Sequence, residues 1–148
     1  MERKIYTQLV GWKNQKLHKP LILNGVRQCG KTYILKEFGK REFESLVYVS
    51  CDRNENLKAI YAGGFDTSRI IQGLSALTGV DIIPGKTLIF LDEVQAFPQA
   101  LEALKYFCED APEYHIVVAG SLFGVALHTG VSFPVGKVQT MRLFPMDF

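Results

Sequence analysis

The sequence predicts an α/β domain in which a parallel sheet of about five strands carries helices on both faces. Short apolar runs alternate along the chain with longer segments whose apolar residues recur at helical spacing. The run Leu88 to Leu91 is continuously apolar, as expected of a central strand that is buried on both faces. Right-handed crossovers between successive parallel strands then place the helices on either side of the sheet.

Length and composition are those of one globular domain. The chain has 148 residues, of which 47% are hydrophobic and 22% charged, with a net charge of +2 at pH 7. This composition excludes a disordered chain, and the charge is too small to indicate nucleic-acid binding by itself. No apolar run approaches the roughly 20 residues of a membrane span, and the N-terminus lacks the apolar core of a signal peptide. We therefore expect a cytoplasmic protein with no membrane partner.

The first elements are a helix, a strand and a second helix. Residues 3–17 carry apolar side chains at roughly helical spacing among lysines, which predicts an amphipathic helix on the edge of the domain, although Gly11 weakens the pattern. Residues 20–24 form a short apolar run bounded by a proline, typical of a buried parallel strand. From Thr32 to about Lys40 the apolar residues again recur at helical spacing.

The middle of the chain predicts one strand and two helices. Residues 46–49 are β-branched and aromatic, as in a strand, and helices follow at about 57–61 and 66–77. Asp66 and Thr67 are both suitable caps for the second helix, and Gly79 is suited to end it. We expect one stripe of this helix to be buried, formed by Ile70, Ile71, Leu74 and Leu77.

The second half of the chain continues the alternation. A strand is predicted at 87–91, a helix opens at Pro98, and another buried strand follows at 115–119. The pattern is weaker after that point, with a short helix at 122–127 and a long glycine-containing loop. A last strand is predicted at 140–143.

A phosphate-binding loop lies between the first strand and the helix that follows it. The residues from Gly25 to Thr32 have the spacing G-x-x-x-x-G-K-T of nucleoside triphosphatases, in the strand–loop–helix context that this motif requires. Its glycines let backbone N–H groups turn toward phosphate oxygens, and the helix N-terminus adds partial positive charge. We expect Lys31 to reach the β- and γ-phosphates and the Thr32 hydroxyl to ligate Mg²⁺. The predicted nucleotide-binding residues are Gly25, Val26, Arg27, Gln28, Cys29, Gly30, Lys31 and Thr32.

An acidic pair forms the second chemical motif. Asp92 and Glu93 follow the apolar run of the central strand, and ligands of a doubly wound sheet bind at that edge. Asp92 suits the Mg²⁺ site together with Thr32. Glu93 suits the polarisation of a water that attacks the γ-phosphate. Such a pair can also form a solvated turn, but the phosphate loop favours the chemical interpretation.

Two further polar residues are candidates at the same edge. Ser121 follows the strand 115–119 and could touch the γ-phosphate or the attacking water, or cap the next segment. Gln95 could also face the γ-phosphate, or lie on the surface. The predicted catalytic residues are Glu93, Lys31 and Ser121.

At these motifs the chain resembles the AAA-like ATPases of bacteria and archaea that carry an uncharacterised C-terminal domain. The resemblance rests on the phosphate loop with its internal Arg27-Gln28, on the segment Phe90 to Gln95, and on the ending Leu143 to Phe148. It implies a P-loop fold with the strand order 5-1-4-3-2, ATP and Mg²⁺ as ligands, and hydrolysis of ATP to ADP and phosphate. It also implies that Ser121 is the first sensor of the nucleotide.

The resemblance also implies a domain organisation. Residues 1–148 correspond to the ATPase domain, with an N-terminal helix at 3–17 and a P-loop core at 20–143, and the relatives continue into a C-terminal domain that is missing here. Many members have an arginine where this chain has Lys137. An arginine finger at that position would be poorly replaced, because lysine lacks the planar fork of a guanidinium.

The partners and the turnover are less constrained by the sequence. A homo-oligomer, the chain's own C-terminal domain, DNA or another protein are all open as partners besides ATP. A nucleotide-dependent switch that binds DNA or protein with little turnover shares every motif with an ATPase. A small-molecule kinase is disfavoured by Glu93, because a kinase needs water excluded rather than activated.

Overall fold

The computed structural model describes residues 2–25, 30–52, 54–120 and 136–142. Within these ranges helices and strands alternate in the order α1 (Glu2–Lys13), β1 (Leu21–Asn24), α2 (Lys31–Glu42), β2 (Ser45–Ser50), α3 (Glu55–Tyr61), α4 (Thr67–Thr78), β3 (Thr87–Asp92), α5 (Pro98–Asp110), β4 (His115–Gly120) and β5 (Gln139–Arg142). The predicted helix at 122–127 and the last residue of the strand predicted at 140–143 lie outside the described ranges.

The strands form a parallel sheet in the order β2-β3-β4-β1-β5. This is the predicted order 5-1-4-3-2 read from the other side. Parallel pairing brings the carboxyl ends of all the strands to one edge, where Asn24 lies opposite Gly120 and Ser50 lies opposite Asp92. The ends of β1, β3 and β4 therefore meet at the edge where the sequence places its polar motifs.

Helices cover both faces of the sheet, as predicted. Leu21 and Leu23 of β1 face the layer of α1 and α2, whereas Ile22 between them faces the layer of α3, α4 and α5. The central strand β3 is buried along its whole length. Because this strand has no solvent face, its residues form a continuous apolar run rather than an alternating one.

The first helix is shorter than predicted. It ends at Lys13, and Leu17, which we expected on its apolar stripe, is 89% exposed. The Trp12 indole donates a hydrogen bond to the carbonyl of Lys19 at 2.7 Å, and Gln15 N donates to Trp12 O at 3.2 Å. These bonds turn the chain back toward β1. The segment after Lys13 is therefore not helical, and Leu17 does not lie on the apolar face of α1.

The helix α4 has the predicted ends but a narrower apolar stripe. Asp66 accepts hydrogen bonds from the backbone N–H groups of Ser68 and Arg69, and Gly79 ends the helix with a φ of 73°. Leu77, predicted to be buried, is 37% exposed, since it lies in the last turn of the helix and the buried stripe ends at Leu74. A single helical turn at Val94–Ala96, after the acidic pair, was not predicted.

Two histidines stack at the edge of the sheet opposite the polar motifs. The rings of His18 and His115 are 3.8 Å apart between centroids and 9° from parallel, and the Trp12 indole meets both edge-on. His18 Nε2 bonds the carbonyl of Tyr114 at 3.0 Å, and His115 Nε2 bonds that of Lys13 at 3.1 Å. His115 begins the strand predicted at 115–119, and its buried side chain joins α1 to β4.

Candidate nucleotide-binding site

The start and the end of the phosphate loop lie between β1 and α2, in the strand–loop–helix context that the motif requires. Gly25 follows β1, and its N–H donates to Gly120 O at 3.4 Å, which ties the loop to the end of β4. Gly30 precedes α2 with φ 87° and ψ 14°, a left-handed conformation that glycine adopts without a steric penalty. The predicted ligands Val26, Arg27, Gln28 and Cys29 lie outside the described ranges.

The lysine of the motif is held at the loop rather than in solvent. Lys31 is the first residue of α2 and only 8% exposed. Its Nζ donates a hydrogen bond to the carbonyl of Gly25, 2.8 Å away, across the span of the loop. A buried ammonium needs acceptors, and the phosphate oxygens expected at this loop would supply them.

Thr32 and Asp92 are in direct contact, which joins the two motifs. The Thr32 hydroxyl donates to Asp92 Oδ2 at 2.6 Å, although the residues are sixty positions apart in the chain. Asp92 is 3% exposed, and its Oδ1 accepts from the N–H of Glu93 at 2.9 Å. A hydroxyl and a carboxylate oxygen are the hard ligands that Mg²⁺ prefers. The pair therefore fits the predicted metal site.

The donor set suits a metal that is shared with a substrate. Among the described residues, no group of three or more His, Cys, Asp or Glu side chains could hold a metal ion. Mg²⁺ keeps several waters and is commonly bound by one or two protein ligands plus substrate phosphates. The Thr32–Asp92 pair beside a phosphate loop corresponds to this arrangement of few protein ligands completed by phosphates.

Tyr48 is a member of the site that the sequence interpretation missed. Its hydroxyl donates to Asp92 Oδ2 at 2.9 Å, so this oxygen accepts from both Tyr48 and Thr32. Burial, and then the hydrogen bond to Asp92, raises the pKa of the phenol well above its ordinary value, so the hydroxyl stays a donor. The Lys36 Nζ lies 4.0 Å from the centre of the Tyr48 ring. Only the position of Tyr48 near the end of a strand could have indicated this role.

Glu93 has a strained backbone and a hydrogen-bonded side chain. It is the one non-glycine residue with a positive φ in the described ranges, at φ 55° and ψ 45°. The left-handed turn carries the chain away from β3 into the turn Val94–Ala96. The Gln95 Nε2 donates to Glu93 Oε2 at 2.6 Å. Gln95 therefore contacts the predicted catalytic carboxylate, which was not among the expectations for it.

Gly120 lies directly beneath the Gln95 amide. A Cβ built at Gly120 would overlap Gln95 Oε1 and would lie 3.2 Å from both Val94 Cγ1 and Val94 N. The last residue of β4 therefore has no room for a side chain in this arrangement. Ser121, the predicted sensor, is the next residue and lies outside the described ranges.

Lys137 lies at the opposite edge of the sheet. It precedes β5, whose first residue Gln139 is opposite Leu21, the first residue of β1. Its Nζ forms an ion pair with Glu109 at 3.3 Å. In its own chain Lys137 is therefore remote from the phosphate loop, which follows the other end of β1.

The comparisons with known proteins agree with this fold. A family described as AAA domain matches residues 17–148. No curated protein sequence matches the chain significantly. A Walker-type ATPase of Pyrococcus abyssi aligns over 97% of this chain and 52% of its own, with a TM-score of 0.55 at 15% identity. The Aeropyrum pernix ORC1 protein, solved in complex with DNA, aligns over 97% of this chain and 43% of its own, with a TM-score of 0.57 at 15% identity.

The structural matches establish the fold, and the family match establishes the family. The chain spans about half the length of the solved structures it matches. No helix in the described part of the chain is long and apolar enough to cross a membrane. Because the family match covers most of the sequence and both solved structures share the sheet, the chain belongs to the AAA domain family and has the P-loop ATPase fold.

Proposed function

We propose that this domain binds ATP together with Mg²⁺ and hydrolyses the ATP to ADP and phosphate. The observation that carries the proposal is the 2.6 Å hydrogen bond between Thr32 and Asp92. It brings the first turn of α2 to the end of β3, so the phosphate loop and the acidic pair form one site. Lys31 directly precedes Thr32 in the sequence, and Glu93 directly follows Asp92.

The residues of the loop act as a phosphate clamp in this proposal. The backbone from Gly25 to Thr32 donates N–H groups to the phosphate oxygens, and Lys31 exchanges its bond with Gly25 O for the β- and γ-phosphates. Thr32 and Asp92 would hold Mg²⁺, with Tyr48 orienting the Asp92 carboxylate. When bound, Mg²⁺ neutralises charge that develops on the phosphates.

Glu93 and Ser121 have the chemical roles at the γ-phosphate. Glu93 orients the attacking water and accepts its proton, since it follows Asp92, the proposed metal ligand, at the end of β3. Ser121 follows the end of β4, which contacts the loop through the bond from Gly25 N to Gly120 O. A hydroxyl there would distinguish ATP from ADP by contact with the γ-phosphate.

Two substitutions test the roles separately. Lys31→Ala removes the ammonium and is expected to abolish binding of a fluorescent ATP analogue. Glu93→Gln keeps the shape of the side chain, so binding should persist while phosphate release falls by about 10² to 10⁴. Lys40→Ala and Glu113→Gln, both at exposed positions, are the matched controls. If Glu93→Gln releases phosphate as fast as the parent, Glu93 is not the base.

Turnover by the isolated chain should be slow. An arginine finger from a neighbouring subunit raises the rate of such enzymes by about 10³ to 10⁵. Lys137, at the position where relatives carry the arginine, is paired with Glu109 and lacks the guanidinium fork. The rate per subunit should be measured against protein concentration, since a rise would indicate that a residue is supplied in trans.

A nucleotide-dependent DNA-binding switch is the second candidate. It is favoured by one observation, the shared fold with an ORC1 protein solved in complex with DNA. Phosphate release and DNA binding, each measured with ATP and with ADP, separate the two functions. An ATPase releases phosphate repeatedly, whereas a switch binds DNA differently in the two nucleotide states and releases little phosphate.

A further inference from the structure

Gln95 occupies a position between two parts of the site that are separate in the chain. On one side its Nε2 donates to Glu93 Oε2 at 2.6 Å. On the other side its Oε1 lies where a side chain of Gly120 would begin. The orientation of the amide follows from chemistry, because an ionised carboxylate accepts hydrogen bonds and needs the NH₂ end.

The Gln95 amide is hydrogen-bonded at one end and buried without a partner at the other. Its Oε1 is buried and has no hydrogen-bond partner among the described residues. An unpaired buried acceptor costs free energy, and the bond from Nε2 to Glu93 offsets part of that cost. The turn Val94–Ala96 fixes the backbone from which the side chain extends, and Val94 is completely buried.

We infer that Gln95 is a positioning residue that holds the Glu93 carboxylate and makes its position depend on the end of β4 at Gly120. A shift of Gly120 toward the turn would displace the amide, and the amide would release or rotate the carboxylate. The inference rests on the proposed hydrolysis for its consequence, but the contact itself exists without turnover. It links the strand that leads to Ser121 with the residue that activates water.

Three variants of the chain test the inference from both sides. Gln95→Ala removes the amide. Gln95→Met keeps most of its length and packing but has no N–H donor. Gly120→Ala keeps glutamine at position 95 but displaces its side chain, because a Cβ at residue 120 overlaps Oε1. Gln99→Ala, exposed on α5, and Gly11→Ala, where a Cβ meets nothing within 4 Å, are the matched controls.

The first measurement needs no nucleotide. The side-chain amide signal of Gln95 in a ¹⁵N–¹H NMR spectrum is identified as the one missing in Gln95→Ala. In the parent it should exchange slowly with deuterium, because it is hydrogen-bonded. In Gly120→Ala it should move and exchange quickly, while Gly11→Ala leaves it unchanged. If Gly120→Ala leaves the signal in place, the coupling to β4 is refuted.

The second measurement is the separation of kcat from KM for ATP. A lost hydrogen bond to a charged group corresponds to roughly a tenfold to hundredfold effect, and we expect it in kcat with little change in KM. Gln95→Met should lose as much as Gln95→Ala. The double variant Gln95→Ala/Gly120→Ala should be much less impaired, relative to Gln95→Ala, than Gly120→Ala is relative to the parent. The overlap with Oε1 is gone, and only the 3.2 Å contacts with Val94 remain.

The outcomes distinguish this inference from the proposed function. A parent that releases no phosphate, or a Glu93→Gln variant as fast as the parent, contradicts the proposed hydrolysis, and the NMR experiment still decides the contact. Normal turnover by Gln95→Ala beside an inactive Glu93→Gln overturns the positioning role alone. Full activity of Gln95→Met with loss in Gln95→Ala would mean that packing, and not the hydrogen bond, holds Glu93.

Discussion

The hydroxyl of Tyr48 and that of Thr32 donate to the same carboxylate oxygen, Asp92 Oδ2, at 2.9 and 2.6 Å. Thr32 is a predicted metal ligand, whereas Tyr48 comes from the neighbouring strand β2 and stands behind the carboxylate. In register, Tyr48 pairs with Phe90, two residues before Asp92. The outer shell of the predicted Mg²⁺ site is thus supplied by the strand at the edge of the sheet.

Tyr48→Phe should weaken Mg²⁺ binding while leaving the fold intact. The change removes one hydroxyl, and loss of an outer-shell partner commonly lowers metal affinity by about 10- to 100-fold. We expect the Mg²⁺ concentration at half-maximal binding of a fluorescent ATP analogue to rise by about tenfold. Binding without Mg²⁺ should not change. Tyr33→Phe, at a position 60% exposed, should behave as the parent, and an unchanged Mg²⁺ dependence in Tyr48→Phe would contradict the role.

Two glycine substitutions in helices should have opposite effects on stability. Gly11→Ala introduces a Cβ with nothing within 4 Å and should raise the free energy of unfolding by about 0.5–1 kcal/mol. Gly39→Ala places its Cβ 2.7 Å from Leu46 Cδ1 and 3.2 Å from Leu88 Cδ2, so overpacking should lower it by about 1–3 kcal/mol. Urea denaturation measures both. A stabilised Gly39→Ala would show that α2 can move away from the sheet.

The stacked histidines should make stability depend on pH. Burial, and then the neighbouring His18, lowers the pKa of His115 from 6.5 to about 4, with the Lys13 ammonium acting in the same direction and the bond to the Lys13 carbonyl opposing it. Between these values the unfolded chain binds a proton that the folded chain does not. The free energy of unfolding is therefore highest above pH 6.5 and falls as the pH drops toward 4.

This dependence can be measured by urea denaturation at pH 7.5, 6.5 and 5.5. The midpoint should fall across this series in the parent and fall less in His115→Gln, which has no proton to gain. A variant with the same pH dependence as the parent would show that other groups control the effect.

Cys51 should resist alkylation in the folded chain. It is 3% exposed, and burial together with the charges of Asp92 and Glu93 raises the pKa of its thiol to about 12. At pH 8 the thiolate fraction is then on the order of 10⁻⁴, and the thiolate is the reactive form. Mass spectrometry after iodoacetamide treatment should find Cys108, which is partly exposed, labelled before Cys51. Equal rates at the two thiols in the native chain would disprove the protection.

The sequence was sufficient for the parts of the fold that depend on local patterns. The apolar runs and helical spacings predicted most of the strands and helices, and the phosphate-loop spacing predicted the strand–loop–helix context in which Gly30 takes its left-handed conformation. The motif pair also predicted that Thr32 and Asp92 would lie at one edge. Their contact follows because the carboxyl ends of parallel strands meet there.

The features that were missed depend on contacts between distant segments. Helix α1 ends early because Trp12 bonds the carbonyl of Lys19, a contact made possible only by the packing of both against the sheet. The His18–His115 stack likewise joins residues 97 positions apart, and the Tyr48–Asp92 bond joins residues 44 positions apart. No periodicity within one segment encodes such pairs, and spacing motifs did not include them.

The left-handed backbone of Glu93 favours glycine at this position, whereas the proposed chemistry requires a carboxylate. A non-glycine residue in that conformation is strained by roughly 1 kcal/mol or more, and glycine would relieve the strain. Under the proposed function, Glu93→Gly should therefore yield a chain that melts at a higher temperature and no longer releases phosphate. Stability alone would favour glycine at this position, whereas the proposed hydrolysis needs the carboxylate.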